Sequence, residues 1–497
     1  MLAGLKACAT RGVGTVQGHY HRLMFGRPLL AACFFSIVTT TPATLFAGQH
    51  WPQFRGPNGT AIADGARLPN TWSREKKVAW TVTIAGTGWS SSIVWAGRVY
   101  VTSAITEGDY LPPSPGIFGM ELYNRLRDEG LSEAEADAAV VERDVQRTVA
   151  DSPPVRWMLH SLDATTGRFL WSQELHRGQA PGGRHRKNSY ASQTPVTDGE
   201  RVYVYIGNVG LFITTMSGDL VWSNRFDPYS MHLDFGTAAS VAVDDERVYV
   251  LHDNLERPFL AALDKGSGAE LWTVEREAGP AMAPSGWSSP FVWRHALRTE
   301  LITVGLGYAI SYDADGHELW RLGGLVTQPM PTPIADDRFL YVGTGAQGGP
   351  NRPLYAVRPG ASGDITLADG ETAKAFVAWF QQTATPYVPS PLVYRGRVYS
   401  IFDNGILNVF DAGTGSRVYR ARVGEGGSTF SASPWAADGK VYLLSEEGDT
   451  FVIAAGDEYT ELAVNSLDEL AFASPAVAAG ALFIRTMTKL YRIQAPR

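Results

Sequence analysis

The chain has 497 residues, with 52 Gly, 14 Trp and 20 Tyr, and only 19% of its side chains are charged. A sequence this rich in turn-forming and aromatic residues is a turn-dense β protein with a large core, not a disordered, collagen-like or coiled-coil chain. Its net charge of −7 argues against a broad nucleic-acid-binding surface.

Residues 1–47 carry Lys6, Arg11, Arg22 and Arg27 and no acid, leaving 39 bases against 50 acids in the remainder. Arg22 and Arg27 precede the apolar run Leu29–Val38, and a small-residue exit follows at Leu45-Phe-Ala-Gly48. Basic flank, short apolar core and small exit are the parts of a secretory signal cut after Ala47, which predicts an exported, periplasmic protein. Met24 would start a signal of ordinary length. Leu30-Ala-Ala-Cys33 also fits a lipoprotein signal, but the apolar run continues past Cys33, as it does inside a signal core. About ten apolar residues do not span a bilayer, so no transmembrane span is expected after signal removal. The other cysteine is Cys8, so the mature chain would contain no disulfide, c-type haem or cysteine-held metal.

A segment at 48–77 leads to the short strand Val78-Ala-Trp-Thr-Val82. An insertion follows at 104–157. Phe118, Leu122 and Leu126 share helical spacing, and Ser132-Glu-Ala-Glu135 reads as a capping box opening a helix with Ala134, Ala138, Val141 and Val145 on one face. This predicts a helical hairpin emerging from the first repeat and lying as a cap on the fold. The rest of the chain repeats one unit, a small hydroxyl residue before an apolar pair, a turn, then Val-Tyr-Val. Its anchors are Ser92, Thr194, Ser240, Ser289, Thr332, Ser390, Ser433 and Ser474, spaced by 102, 46, 49, 43, 58, 43 and 41 residues. Apart from the first, these spacings match the period of a four-stranded propeller blade. Turns such as Asp264-Lys-Gly-Ser-Gly268 follow, and four residues past the Gly comes an aromatic: Trp171, Trp222, Trp272, Trp320 and Tyr419. Trp379 fills this slot in the fifth unit and Leu462 in the seventh. The aromatic strand is expected outermost, wedged between blades. After Ser474 only three strands remain, so Val78–Val82, bearing Trp80, is expected to complete the last sheet. The chain is therefore predicted to be an all-β, eight-bladed propeller over 78–494, closed by an N-terminal outer strand and carrying a helical insertion in blade 1.

The Ser-Pro-x-Val-x-x-Gly-x-Val-Tyr and Asp-Ala-x-Thr-Gly-x-x-x-Trp pattern resembles the pyrroloquinoline-quinone (PQQ) repeat. Over 49–494 the chain is similar to bacterial PQQ-binding-like β-propeller repeat proteins, notably at Trp51-Pro-Gln-Phe-Arg-Gly-Pro-Asn-Gly59, Lys187-Asn-Ser-Tyr-Ala-Ser192, Arg358–Ile365 and Ser431–Ala436. More distantly it resembles the propeller lipoprotein of the outer-membrane barrel-assembly machinery and the quinoprotein alcohol dehydrogenases. The last resemblance implies PQQ with Ca²⁺ over the central channel. The sequence departs from that pattern in having no Cys-Cys pair, no Cys-x-x-Cys-His and no calcium-loop carboxylates.

Loops converging on the channel mouth are the expected ground for function. Arg186, Lys187, Asn188 and Ser189 lead into blade 2 and could grip an anionic ligand or acidic peptide. Asp253, Asn254 and Arg257 occupy a hairpin of blade 3, where turn chemistry competes with a ligand site. Arg298 and Glu300 read as an ion pair bordering the mouth. Asp403-Asn-Gly405 reads as a hairpin turn. The sequence thus predicts a monomeric, non-catalytic, exported propeller that binds a protein partner or small ligand on its loop face; the alternative is a PQQ-dependent oxidoreductase acting on an alcohol or sugar.

Overall fold

A unit of alternating apolar runs and Asp–Gly turns can bury its faces only against copies of itself. In the computed structural model, which describes residues 48–108, 111–118, 120–148, 153–279, 285–326, 328–346 and 349–495, the copies stand around a central channel. The expected export signal, with Met24, Cys8 and Cys33, lies outside the described residues. Among the described residues eight sheets form the blades, seven antiparallel ones of four strands and one of five whose outermost pair is parallel. The eighth blade, Ala476–Ala478, Ala481–Arg485 and Lys489–Gln494, takes Val78–Thr83 as its outer strand, with Thr81 opposite Tyr491. The predicted closure is therefore present.

Each Asp turn is made as its residues dictate. The Asp264 carboxylate accepts the Ser267 N–H at 2.7 Å, and its carbonyl accepts the Gly268 N–H at 2.8 Å. Gly268 has φ +77°, and a Cβ there would sit 2.6 Å from the Trp222 ring of the preceding blade. The aromatic of one blade thus lies flat on the turn of the next. Trp80 covers Gly167, Trp171 covers Gly218, Trp272 covers Gly316 and Trp379 covers Gly415. Four of these indoles also donate to a carbonyl of the turn they cover: Trp80 to Ala164 at 3.1 Å, Trp222 to Lys265 at 3.3 Å, Trp272 to Ala314 at 2.9 Å and Trp379 to Ala412 at 3.0 Å. Trp320 departs from the rule. It is fully buried and donates to Glu300 at 2.7 Å, under a fifth strand, Gly363–Asp364, that covers the edge of blade 4.

A β-bulge recurs beside this slot in all eight blades, for example between Ala262 and Leu263, where Leu271 is left unpaired. The extra residue bends the strand and aims the ring at the neighbouring blade. This corrects one assignment. In blade 7 Val452 pairs with Ala463, and Leu462 falls on the bulge and is exposed, so Ala463 occupies the aromatic slot.

At the axis the anchor hydroxyls do what the spacing alone did not reveal. The backbone N–H of each anchor donates to the hydroxyl of the next: Ser91 to Thr194, Thr194 to Ser240, Ser240 to Ser289, Ser289 to Thr332, Thr332 to Ser390, Ser390 to Ser433 and Ser433 to Ser474, at 2.8–3.4 Å. The first anchor is therefore Ser91, not Ser92, which stands where the other units carry Pro or Val. Blades 8 and 1 are joined by buried Arg485, whose Nη1 donates to Ser90 Oγ at 2.8 Å and to the Thr102 carbonyl at 2.7 Å.

Two non-blade segments cover the channel ends. The connection between Arg98–Ile105 and Val155–Asp163 carries α1 (Met120–Asp128) and α2 (Glu133–Asp144), so Ala104, Ile105 and 155–157 belong to blade strands rather than to the insertion. The Ser132–Glu135 capping box is formed. The buried face of α2 is Ala136, Val140 and Asp144, whereas Ala134 and Ala138 are exposed; small alanines cost little in water, and only the opposite row meets the propeller. At the other end, residues 48–72 run under the inner strands. Trp51 pairs with Val94 of blade 1, the Pro52 carbonyl accepts Thr197 N–H of blade 2, and Ala61 and Ala63 bond Ala436 of blade 7. Gly56, at φ +69°, lets the Trp51 indole approach to 2.6 Å of where a Cβ would stand.

Gly268→Ala should lower the unfolding free energy by about 1–3 kcal/mol, through positive φ and collision with Trp222. Gly456→Ala, where a Cβ meets nothing within 4 Å, should be near neutral. Ser390→Ala should cost about 1–3 kcal/mol by orphaning the Thr332 N–H. Urea midpoints of the three variants test this set.

Candidate functional site

Inner strands that begin at one face and end at the other carry their anchors to a single rim. The chamber there, of about 460 Å³, has the anchor hydroxyls in its wall, Phe54 of the N-terminal segment beneath, and Ile117, Tyr123, Asp137 and Val140 of the insertion above. Each anchor hydroxyl from Thr194 to Ser474 already accepts an N–H, so its own proton remains free to donate. Trp89 and Trp287 supply broad apolar faces. The Trp287 indole donates to the Gly236 carbonyl at 2.6 Å, while the buried Trp89 Nε1 has no partner. Three non-glycine residues in or beside this wall, Leu233, Asp234 and Gln328, have φ of 49°, 54° and 60°. Such strain concentrates at sites that need side chains held in a set position.

The insertion is tied down by charge. Lys187 reaches from the loop before blade 2 to fully buried Glu446 of blade 7, at 2.5 Å, and donates to the Gly116 carbonyl at 2.8 Å. Glu446 in turn accepts the Gly116 N–H at 3.0 Å. Arg186 lies 4.8 Å over the Phe118 ring and 3.9 Å from buried Asp144, which also pairs with Arg143. Val145–Gln146 pairs with Arg184–His185 as a two-stranded ribbon.

The predicted residues fall into three places. Lys187 and Asn188 line the chamber, with Arg186 and Ser189 beside them. Asn188 donates to the Phe235 carbonyl at 2.9 Å, and the Ser189 hydroxyl accepts Trp89 N–H at 3.1 Å. Asp253, on the same face, forms a buried two-point pair with Arg276 at 2.7 and 3.2 Å. Asn254 makes an Asx turn with Glu256 and Arg257, and Arg257 is an exposed partner of Glu275. Arg298 and Glu300 do pair, at 2.9 Å, but Arg298 follows the inner strand Phe291–Arg294 and so lies at the opposite end of the channel. Asp403 forms the expected turn and also lines the chamber, paired with Arg352 at 3.2 Å.

Sequence reasoning missed Glu446, Asp144 and both chamber indoles. The acids sit in segments that look like solvated turns or helix ends. The indoles had a signal, because Gly88-Trp-Ser-Ser91 and Gly286-Trp-Ser-Ser289 are copies of one motif, and aligning them also selects Ser91 as the first anchor.

Burial disfavours the charged forms of two chamber residues. It pushes Asp137 up, against the pull of His232, and pushes His232 down. His185, at the foot of the ribbon, is driven down to about 4 by burial, with Lys187, Arg186 and Arg143 acting the same way and Asp144 opposing. The charged wall residues Lys187 and Asp403 are already neutralised by Glu446 and Arg352. Among the described residues, no group of three or more His, Cys, Asp or Glu stands together as a metal site.

A family model described as outer membrane protein assembly factor BamB matches residues 158–301 and 306–493. No curated protein matches the chain. Among solved structures it is similar to the quinohemoprotein alcohol dehydrogenase of Comamonas testosteroni, at 11% identity and TM-score 0.57 over 92% of this chain and 82% of that one. The quinohemoprotein alcohol dehydrogenase ADHIIG of Pseudomonas putida HK5 gives 12% and 0.53 over 91% and 82%. BamB of Moraxella catarrhalis gives 12% and 0.47 over 71% and 94%. At these identities the likeness concerns the fold.

His160 and His252 are also held near 4 by burial. Their neutral forms are favoured in the folded state, so the unfolded chain binds more protons between pH 6.5 and 4. Stability should fall as pH drops through that window, read as a falling melting temperature. Lys187→Met leaves Glu446 unpaired and should loosen the insertion by on the order of 2 kcal/mol, seen as faster hydrogen exchange in α2 with blade 5 unchanged.

Proposed function

We propose, for a chain that belongs to the family of the outer membrane protein assembly factor BamB, that it is an exported binding propeller whose central chamber holds a small uncharged ligand. The observation that carries this reading is the chamber covered at both ends by the chain's own segments. A space of about 460 Å³ suits a drug-sized molecule and is far too small for a protein partner, which would have to use the blade edges or the outer side of the insertion. The wall favours a flat or ring-shaped ligand with apolar faces and acceptor oxygens at its edge, because it presents two indoles and outward-donating hydroxyls. A saccharide ring is the simplest chemistry of that kind. The pattern of residues 1–47 supports export.

PQQ with Ca²⁺ fits these residues poorly. The quinone brings carboxylates, yet the cation in the wall, Lys187, is already engaged by Glu446, and Glu133 and Asp137 add acid above it. Calcium would need a cluster of oxygen ligands, and the described residues hold no such acidic group.

Titration of the mature protein with a panel of mono- and disaccharides should find a ligand that raises the melting temperature with one-to-one stoichiometry. Ala238→Trp, which fills the chamber, should abolish the shift while the unliganded melting temperature stays within a few degrees. Stoichiometric uptake of PQQ with Ca²⁺, accompanied by alcohol-dependent dye reduction, would replace this reading with that of a quinoprotein oxidoreductase.

A further inference from the structure

The rim of blade 6 breaks the charge pattern of the molecule. Its outer strand, Arg417–Arg422, reads Arg-Val-Tyr-Arg-Ala-Arg in a chain of net charge −7. Val418 falls on the bulge, and Arg417, Arg420 and Arg422 stand opposite Phe410, Asn408 and Ile406. The three arginines therefore share the face that Phe410 turns toward blade 5, and all three are exposed. At the corresponding positions blade 3 has Glu270, Thr273 and Glu275, and blade 7 has Glu461, Val464 and Ser466. Blade 6 fills all three with cations. The fold makes little use of them: among the described residues Arg417 and Arg420 have no ion-pair or hydrogen-bond partner, and Arg422 donates to the Asn404 carbonyl at 3.1 Å. Asp411 of the adjoining turn and Asp457 are both already held by Arg397, each at 2.7 Å. The neighbouring outer strand of blade 5, Val377–Gln381, has no acid.

Blade 4 shows what such an edge accepts. There Gly363–Asp364 pairs in parallel with the outer strand Glu318–Leu322, and Asp364 stands opposite Arg321. Arg321 follows the aromatic of its strand, the place that Arg420 holds in blade 6. Arg321 is also paired with Glu318 at 2.6 Å, where blade 6 has Arg417 instead. The outer edge of Arg417–Arg422 pairs with no strand among the described residues. We propose that this edge docks an extended acidic segment of a partner protein, added as a further strand with carboxylates at alternate residues. Alternate residues of a strand lie about 6.8 Å apart, so such carboxylates stand beside the arginine row, one per position. Backbone bonds along the edge supply affinity, and the guanidinium–carboxylate pairs select the segment. A charge also protects a bare edge from wrong pairing, but one charge of either sign does that, whereas three unpaired cations in a row select the sign of a partner. The site lies at the rim and does not depend on what the central chamber binds.

The test uses the full mature chain and a fluorescein-labelled peptide, Thr-Asp-Val-Asp-Val-Asp-Thr, followed by anisotropy at physiological salt. We expect saturable one-to-one binding, and none of the peptide with Asn in place of Asp. Arg420→Gln should weaken binding about tenfold, one charge-assisted bond being worth roughly that factor. Arg420→Lys, which keeps the charge but loses the planar fork, should weaken it less. Replacing Arg417, Arg420 and Arg422 together by Gln should abolish binding and leave the melting temperature within a few degrees of wild type, since the side chains are exposed. N-methylation of one alternate set of peptide amides should abolish binding and of the other set should leave it, because a strand pairs through one edge. The proposal is overturned if the wild type does not bind the peptide, if the triple variant binds it equally, or if both methylated peptides bind like the parent. Binding to phosphatidylglycerol vesicles that the triple variant loses, with none to the peptide, would also overturn it, by making the row a membrane contact.

Discussion

The molecule depends on a relay of hydrogen bonds one side chain long. Seven backbone N–H groups each find the hydroxyl of the next anchor, and those short Ser and Thr side chains fix how near the axis the blades stand. A buried N–H must be met, and the start of an inner strand has no ladder partner to meet it. A hydroxyl from the adjacent blade solves that problem and sets the bore of the channel together. At the rim, the indole-on-glycine contacts do the complementary task, holding blade to blade at the radius where the sheets diverge.

This division explains what the sequence made legible. The rim lock is local in register: Gly and Trp four residues apart announce it in unit after unit, and the blade count and the closing strand follow. The relay was legible as a list of anchors but not as a bonded chain, and Ser91 was displaced by one because the first unit has Ser where others have Pro. Leu462 was assigned by hydrophobicity, whereas the bulge gives that slot to Ala463 and leaves Leu462 in water. The helical insertion was visible through its capping box. Its buried row was not, because Ala136 and Val140 face a surface assembled from distant blades. The same holds for Lys187 and Glu446, which lie far apart in sequence and meet only across the assembled channel.

The channel holds two unlike spaces. Above Phe54 the wall is aromatic and hydroxylic, with acids at the insertion and its cation neutralised; the smaller cavity beside it shares Phe54, Ser240, Ser289 and Thr332 with the chamber and has no acid in its lining.

The closing strand also has a consequence for how the molecule comes into being. Val78–Thr83 is made before every other blade strand, and its partner Lys489–Gln494 after all of them. Seven blades can stack as they are produced, yet the seam stays open until Lys489–Gln494 arrives, with unpaired strand edges on either side. Closure of the ring is therefore a single long-range docking step, slow in the manner of high-contact-order topologies, and the interval before it is when the nascent ring is most vulnerable to proteases and to pairing with the wrong strand.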